Sequence, residues 1–194
     1  MKKDIIISGV GGQGILTIAA TIGTAALIEG LHLKQSEVHG MSQRGGDVQS
    51  HLRISSNDIA SDLIPEGKAD LIISVEPLES LRYVNMLNKE TGWLISSMNP
   101  FKNISDYPEL ETVLDEIWKL PRYVTIDANR VAKDQGSIKA ANIVVLGAAI
   151  PFLGLKYESL KKALEVMFSK KGPDMVALNR KALRAGKKYA EERT

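Results

Sequence analysis

The feature that most constrains the fold is a glycine-rich loop near the amino terminus, Gly9-Val-Gly11-Gly12-Gln13-Gly14. A β-branched run, residues 4–9, precedes it and is apolar on both faces, which predicts a buried strand of a parallel sheet. An apolar, alanine-rich segment from Ile15 to about Glu29 follows and predicts a helix that ends at Gly30. Strand, glycine loop and helix in this order indicate a Rossmann-like first βα unit.

Such a loop lets the backbone approach a phosphate, while the helix amino terminus supplies partial positive charge. Glu37 lies about where an acidic residue would bind the ribose of a dinucleotide. The loop could instead be a tight turn that only packs the helix against the strand. The residues favour a phosphate ester or a partner contact over a dinucleotide, because a second crossover helix is missing from the pattern.

The spacing of the next two strands predicts a mixed sheet. Residues 33–39 form one strand candidate, and residues 47–54 alternate apolar and polar side chains as a strand with one solvent-facing side does. The seven residues between them cannot contain a crossover helix, since parallel neighbours need a dozen or more linking residues. We therefore expect an α/β fold, a single three-layer domain over residues 1–194 with a mixed, mostly parallel sheet.

The rest of the chain supplies further strands and a helical carboxyl-terminal third. Strands are predicted at residues 69–75, 93–98 and 123–127, with helices at about residues 76–87 and 107–120. Residues 138–153 are apolar nearly all round, which predicts a buried helix, and two further helices follow. The packing stripe predicted for the last helix consists of Met175, Leu178, Ala182, Ala185 and Tyr189.

Composition excludes several chemistries. The chain has no cysteine, so it can hold no disulfide, thiolate zinc site, catalytic thiol or cysteine-ligated iron–sulfur cluster. Its 25 basic and 23 acidic residues indicate no nucleic-acid partner, and the longest apolar stretch, residues 143–155, is too short to span a bilayer. We expect a cytoplasmic protein without a membrane partner. The basic last helix is either a solvated face or a docking face for an acidic partner.

A second polar loop covers residues 39–46, His-Gly-Met-Ser-Gln-Arg-Gly-Gly. Gly45 and Gly46 can leave backbone amides free, Arg44 offers a planar fork for a carboxylate or phosphate, and Ser42 and Gln43 add neutral hydrogen-bonding groups. These residues indicate an anion-binding or interface loop. A solvated connection is the alternative.

Both loops, taken with later motifs, resemble one protein family. The shared motifs are Gly-Val-Gly-Gly-Gln-Gly at 9–14, Val-His-Gly-Met-Ser-Gln-Arg-Gly-Gly at 38–46, Ser-Asp-Leu-Ile-Pro at 61–65, Ala-Asp-Leu at 69–71, Glu-Pro at 76–77 and Ala-Asn-Ile-Val-Val-Leu-Gly at 141–147. Together they resemble the gamma subunit of 2-oxoacid:ferredoxin oxidoreductases, with the small subunit of indolepyruvate ferredoxin oxidoreductase as the nearest type. The resemblance covers nearly the whole chain.

The resemblance implies a subunit that is inactive alone. Larger partner subunits of the same complex would carry thiamine diphosphate, Mg²⁺ and 4Fe–4S clusters, and the complex would convert an arylpyruvate such as indolepyruvate, or a related 2-oxoacid, to an acyl-CoA and reduce ferredoxin. This chain would help to enclose the co-substrate coenzyme A and contact its partners. The residues carried over as cofactor-binding candidates are Gly9, Gly11, Gly12, Gln13, Gly14, Ser42, Gln43, Arg44, Gly45 and Gly46.

No residue is predicted to be catalytic or to bind a metal. For His51 an exposed or hydrogen-bonded side chain is favoured over a catalytic base, whereas His39 is left open between an interface or ligand contact and neither. Asn142 lies in an apolar helix, where we expect a structural hydrogen bond. The alternative function is a stand-alone NAD(P)-binding oxidoreductase that uses the loop at 9–14.

Overall fold

The computed structural model describes residues 1–39 and 46–193, with the His39 side chain left out. The strands are β1 Lys2–Val10, β2 His32–His39, β3 Asp47–Ser55, β4 Leu71–Ser74, β5 Trp93–Ser97 and β6 Tyr123–Ile126. The helices are α1 Ile15–Ile28, α2 Pro77–Arg82, α3 Leu110–Trp118, α4 Ala128–Asp134, α5 Ala141–Leu153, α6 Tyr157–Phe168 and α7 Pro173–Glu191. Three short 3₁₀ turns cover Val84–Met86, Ile138–Ala140 and Ser169–Lys171.

The strands form one six-stranded sheet in the order β2-β3-β1-β4-β5-β6. Strands β1, β4, β5 and β6 are mutually parallel, while β3 runs antiparallel to both β1 and β2. The mixed sheet predicted from the short link between β2 and β3 is therefore confirmed.

Alternate residues of β1 pack against two different helical layers. Ile5 and Ile7 belong to a core shared with α1, α5, α6 and α7, whereas Ile6 faces the smaller core that contains Leu114 and Ile117 of α3. All three isoleucines are fully buried. A sheet with helices on both faces is the three-layer architecture expected of a mostly parallel sheet.

Several predicted boundaries need correction. The helix predicted over residues 76–87 is α2 followed by a 3₁₀ turn, and the one predicted over 107–120 is the shorter α3. Helix α4 was not predicted at all. It begins because the Asp127 side chain accepts a hydrogen bond from Arg130 N, as an N-cap residue does.

The packing stripe predicted for α7 is confirmed for Ala182, and Leu178 and Tyr189 also pack against the main core, but the prediction left out most of the fully buried positions. The other predicted residues are only partly buried, and the fully buried positions are Asn179, Ala182, Leu183, Gly186 and Ala190. The cause is a close crossing of α7 with α5 through Gly147 and Gly186, where a Cβ on Gly186 would lie 2.0 Å from Val144 O. Two backbones this near each other select the small-residue face of α7 for burial.

The buried helix predicted over residues 138–153 is confirmed as the 3₁₀ turn Ile138–Ala140 followed by α5, which is buried along most of its length. Among the helices of the described residues, none combines the length and the apolarity that crossing a membrane requires.

Candidate functional site

A cleft of about 340 Å³ opens at the carboxyl edge of the parallel strands. Helix α1 leaves β1 toward one face of the sheet, and α2 leaves the neighbouring β4 toward the other. Adjacent connections that diverge in this way create the crevice in which open α/β sheets bind ligands. The cleft lies beside this point and extends to the ends of β5 and β6.

The glycine loop forms one wall of the cleft, through Gly12, Gln13 and Gly14. Gly12 and Gly14 have φ angles of 99° and 85°, a region that side chains with a Cβ rarely occupy. A Cβ on Gly14 would also lie 2.3 Å from Asn142 Nδ2, which donates a hydrogen bond to Gly14 O at 3.3 Å. The structural hydrogen bond expected of Asn142 is thus confirmed, and it joins the loop to α5.

The remaining residues of the loop have internal contacts. Gly9 packs so closely on Val75 that a Cβ would lie 2.4 Å from Val75 Cγ2, and Gln13 Oε1 accepts a hydrogen bond from Val10 N at 2.8 Å. Gly11 N donates to Gly46 O at 2.9 Å, which brings the two predicted loops together. Ser42, Gln43, Arg44 and Gly45 lie outside the described residues.

The opposite wall is a hydrogen-bonded network at the ends of β5 and β6. Asn99 Nδ2 donates to Asp127 Oδ1 at 2.9 Å, and Asn99 Oδ1 accepts from Asn129 N at 2.9 Å. Burial alone would raise the pKa of Asp127, but hydrogen bonds from Asn99 and Arg130 N and the charge of Arg130 outweigh it and lower the pKa. Asp127 is therefore an ionised anchor for the asparagines that line the cleft.

A buried carboxyl group fixes the segment that carries Asn99 and Phe101. Glu76 is 1% exposed and accepts hydrogen bonds from Glu79 N at 2.8 Å, from Phe101 N at 3.2 Å and from the Tyr107 hydroxyl. Burial raises the pKa of Glu76, and the charge of Glu79 adds to this, while the three hydrogen bonds act in the opposite direction. Glu76 thus links the start of α2 to the outer wall of the cleft.

The electrostatics of the cleft suit an anionic or polar ligand. Helices α1 and α5 both begin at the cleft, and neither N-cap residue contributes a side-chain hydrogen bond. The first amides of α1 therefore direct partial positive charge toward the cleft, whereas at α5 Ala141 N donates to Ile138 O and Ile143 N donates to Asn142 Oδ1. Lys139 adds a full charge, and the exposed apolar side chains of Phe101 and Ile138 line the mouth. This arrangement can bind a ligand with phosphate or carboxylate groups beside an apolar portion.

His32 and His51 do not line the cleft, and the His39 side chain lies outside the described residues. His51 is buried, and its Nδ1 accepts a hydrogen bond from Ile64 N at 3.0 Å, while burial lowers its pKa. The hydrogen-bonded interpretation of His51 is therefore confirmed. His32 is exposed beside Asp58, with Nδ1 and Oδ1 3.2 Å apart. Among residues 1–39 and 46–193, no group of three or more His, Cys, Asp or Glu side chains could hold a metal ion.

The sheet order separates Glu37 from the glycine loop. In the sheet, β3 lies between β1 and β2, so Glu37 is two strands away from the strand that leads into the loop. Two strand spacings amount to about 10 Å. A dinucleotide with its pyrophosphate at Gly12 would need that acidic residue on the adjacent strand.

The cleft also contains residues that the sequence pattern did not select, namely Ser97, Asn99, Phe101, Asn129, Ile138 and Lys139. The signal that could have identified Asn99 and Asn129 is their position just after predicted parallel strands, where ligand sites of α/β sheets form. Lys139 and Ile138 carry no such signal, because they reach the cleft only through the packing of α5.

These features define a class: a small three-layer α/β subunit with a mixed sheet, a glycine loop after β1 and a polar cleft at the sheet edge. The model of the pyruvate ferredoxin/flavodoxin oxidoreductase family matches residues 4–189, and the chain belongs to this family. Members that resemble it are subunits of 2-oxoacid:ferredoxin oxidoreductases, so the resemblance drawn from its motifs is confirmed.

Individual relatives agree with this assignment. An indolepyruvate oxidoreductase subunit IorB from Archaeoglobus fulgidus is 39% identical over 96% of this chain and 94% of its own length. The gamma subunit of a keto/oxoacid ferredoxin oxidoreductase from Geobacter sulfurreducens is 27% identical, with a TM-score of 0.72 over 98% of this chain and 99% of that one. A 2-oxoglutarate:ferredoxin oxidoreductase from Magnetococcus marinus, solved with coenzyme A and succinyl-CoA bound, has a TM-score of 0.76 over 100% of this chain and 32% of that one. At 21% identity, that likeness shows the fold alone.

Proposed function

We propose that this chain is the non-catalytic small subunit of an arylpyruvate:ferredoxin oxidoreductase, such as one acting on indolepyruvate, and that its cleft helps to enclose coenzyme A. The observation that carries the proposal is the 39% identity to an indolepyruvate oxidoreductase subunit over nearly the full length of both chains.

The reactive groups belong, in this proposal, to larger partner chains. Thiamine diphosphate with Mg²⁺ supplies the decarboxylation of the 2-oxoacid, and 4Fe–4S clusters supply the electron transfer to ferredoxin. This chain has no cysteine to ligate a cluster. Its contribution is to bind, orient and exclude water, and the isolated chain is expected to be inactive.

The cleft supports a role with coenzyme A through its chemistry. Coenzyme A combines phosphate groups with a less polar amide-containing arm, and the cleft combines the amino terminus of α1 and Lys139 with Phe101 and Ile138. Asn99 and Asn129 provide neutral side chains suited to amide groups. A volume of about 340 Å³ is open to part of such a molecule, and a partner surface would cover the rest.

A pair of lysine variants tests this role in the assembled complex. Lys139→Ala removes the cationic group that lines the cleft among the described residues, whereas Lys133→Ala removes an exposed lysine of α4 that does not line it. We expect Lys139→Ala to raise the KM for coenzyme A by about threefold to tenfold with kcat unchanged, because only binding is weakened. The KM should be unaltered in Lys133→Ala. Equal KM values for both variants and the unaltered complex would contradict the assignment of coenzyme A to the cleft.

A further inference from the structure

The last strand of the sheet, β6, leaves backbone groups without partners. On the side that faces β5, Arg122 O accepts a hydrogen bond from Leu94 N and Ile126 O accepts one from Met98 N. The even-numbered residues of β6, and Arg122 just before it, therefore bond toward β5. In a parallel pair the alternate residues point away from that neighbour. Tyr123 and Thr125 therefore direct their N–H and C=O groups outward. Of these four groups, Thr125 O accepts the Tyr189 hydroxyl at 3.0 Å, and the other three have no protein partner within the described chain.

A groove of about 450 Å³ runs beside this edge. It is lined chiefly by Trp93, Trp118, Pro121, Tyr123, Tyr189 and Arg193. Both tryptophans and two of the five tyrosines of the chain thus line one groove. Tryptophan and tyrosine are the residue types that dominate binding energy at protein interfaces.

The aromatic walls of the groove are held in place. Trp118 is 43% exposed, and its Nε1 donates to Thr125 Oγ1 at 3.2 Å, which fixes the ring beside the strand. On the other side, the Arg193 guanidinium lies 3.6 Å from the centre of the Tyr189 ring. Side chains that are already ordered lose little conformational entropy when a ligand binds between them.

The two edges of the sheet differ in how they are protected. β2, at the opposite edge, carries Lys34 and Glu37 among its eight residues. Charged side chains of this kind discourage pairing with another strand. β6 consists of Tyr, Val, Thr and Ile, with neither a charge nor a proline. β6 is short, and Tyr189 of α7 already bonds to Thr125 O, so the groups that stay open beside the aromatic groove, within the described chain, are Tyr123 N, Tyr123 O and Thr125 N.

We infer that the groove binds an extended segment of the larger partner chain, which pairs with β6 as a seventh strand and inserts an apolar side chain between Trp118 and Tyr189. The inference rests on the proposed function, since it requires that partner. Outward N–H and C=O groups on one strand are complementary to another extended backbone, which selects a peptide over a helix or a small molecule. Arg193 at the groove favours an acidic residue in the bound segment.

Amide hydrogen exchange of the wild-type chain, free and in complex with the larger subunit, tests the inference directly. We expect Tyr123 and Thr125 N–H to exchange fast in the free chain and to be slowed at least about tenfold in the complex. The N–H groups of Val124 and Ile126, already bonded to β5, should change little.

A complex that forms without slowing the exchange of Tyr123 and Thr125 N–H overturns the inference but leaves the proposed function standing. If no complex forms, the proposed function fails and the inference fails with it. Protection that appears in the free chain and grows with its concentration also overturns the inference, because the occupant would be a second copy.

Two variants test the groove through affinity for the larger subunit. Trp118→Ala removes one wall, and we expect the Kd to rise by about tenfold or more. Tyr123→Pro removes an outward N–H that the sheet does not use, and also a ring that packs against the smaller core, so its Kd is compared only once circular dichroism shows a folded chain; that Kd should also rise. The control, Val166→Ala, truncates a side chain of α6 that is 66% exposed and lies outside the groove, and its Kd should be unchanged. An unchanged Kd for folded Trp118→Ala overturns the inference.

Discussion

At the scale of single residues, Gly14 joins the glycine loop to the carboxyl-terminal half of the chain. Its φ of 85° and its contact with Asn142 are two separate reasons for a glycine at this position. Gly30 matches it as a control, because its φ is 73° and a Cβ there would meet no atom within 4 Å. The pair therefore separates backbone strain from steric contact.

We predict that Gly14→Ala lowers the free energy of unfolding by more than Gly30→Ala does. Both substitutions place a Cβ in the left-handed region, which costs about 1 kcal/mol, and only Gly14→Ala also displaces Asn142. Urea denaturation of both variants measures the difference. Equal losses for the two variants would mean that the Asn142 contact contributes nothing.

Glu76 gives the stability a pH dependence with a defined sign. Burial raises its pKa in the folded state above the ordinary carboxyl value of 4.5. A carboxyl group of this kind favours folding fully below the ordinary pKa, and that contribution is lost as the pH rises through the raised pKa. We predict that Glu76→Gln, which cannot ionise, lacks this loss.

The free energy of unfolding of wild type and Glu76→Gln, measured from about pH 4 to about pH 8, tests this prediction. The difference between the two proteins should move in favour of Glu76→Gln as the pH increases. Glu90→Gln is a suitable control, because Glu90 is exposed and its side chain lies outside the cleft. If Glu76→Gln parallels wild type throughout this range, Glu76 does not titrate there.

At the scale of the elements, α5 and α7 cross with their backbones in close approach at Gly147 and Gly186. A Cβ on Gly147 would lie 2.3 Å from Leu183 O, which is backbone and cannot move aside without separating the helices. A Cβ on Gly23 of α1 would lie 3.0 Å from Leu33 Cδ2, the flexible end of a side chain. The same substitution is thus expected to have different consequences at the two sites.

We predict that Gly147→Ala destabilises the protein by about 2–3 kcal/mol, the upper part of the range for overpacking in a well-packed core. Gly23→Ala should remain within about 1 kcal/mol of wild type, since the gain in helix propensity offsets a small shift of Leu33. Thermal or urea unfolding of the two variants distinguishes these results. A Gly147→Ala variant as stable as Gly23→Ala would show that the two helices can separate at little cost.

The elements that the sequence predicted well are those with a local cause. The short link between β2 and β3 dictated their antiparallel pairing, and the apolar runs of β1, β4 and β5 indicated buried strands. Helix α4 was missed because its seven residues are too few to display a helical period. The buried face of α7 was predicted only in part, because large apolar residues were favoured over Gly186, whose burial depends on the distant Gly147.

The candidate site was only partly predictable for the same reason. The loop at 9–14 was identified from its glycines, and the structure places Gly12, Gln13 and Gly14 on the cleft. Lys139, Ile138 and Asn142 reach the same cleft from the far end of the chain through the packing of α5. Nothing in their local pattern specifies that proximity.

At the scale of the whole molecule, α7 cannot be treated as a detachable basic tail. It buries Leu183 and Ala182 and crosses α5 at Gly186, so deletion of the residues after Gly172 would remove part of the core. A docking role of the basic face of α7 is therefore tested with surface substitutions such as Lys181→Glu and not with a deletion. That side chain is exposed, so the fold should not change.

The sheet order also yields a ligand prediction for the isolated chain. Calorimetric titration should show weak binding of coenzyme A and no saturable binding of NAD or NADP, because β3 separates Glu37 from the glycine loop. Tight nicotinamide binding together with hydride transfer would contradict the arrangement derived from the sheet.

In the proposed function, the larger enzyme requires this chain for its activity. The direct measurement is anaerobic reduction of ferredoxin by the larger thiamine-diphosphate subunit, supplied with indolepyruvate and coenzyme A, in the absence and presence of this chain. We predict activity only when both chains are present and none from this chain alone. Full activity of the larger subunit by itself would contradict the account.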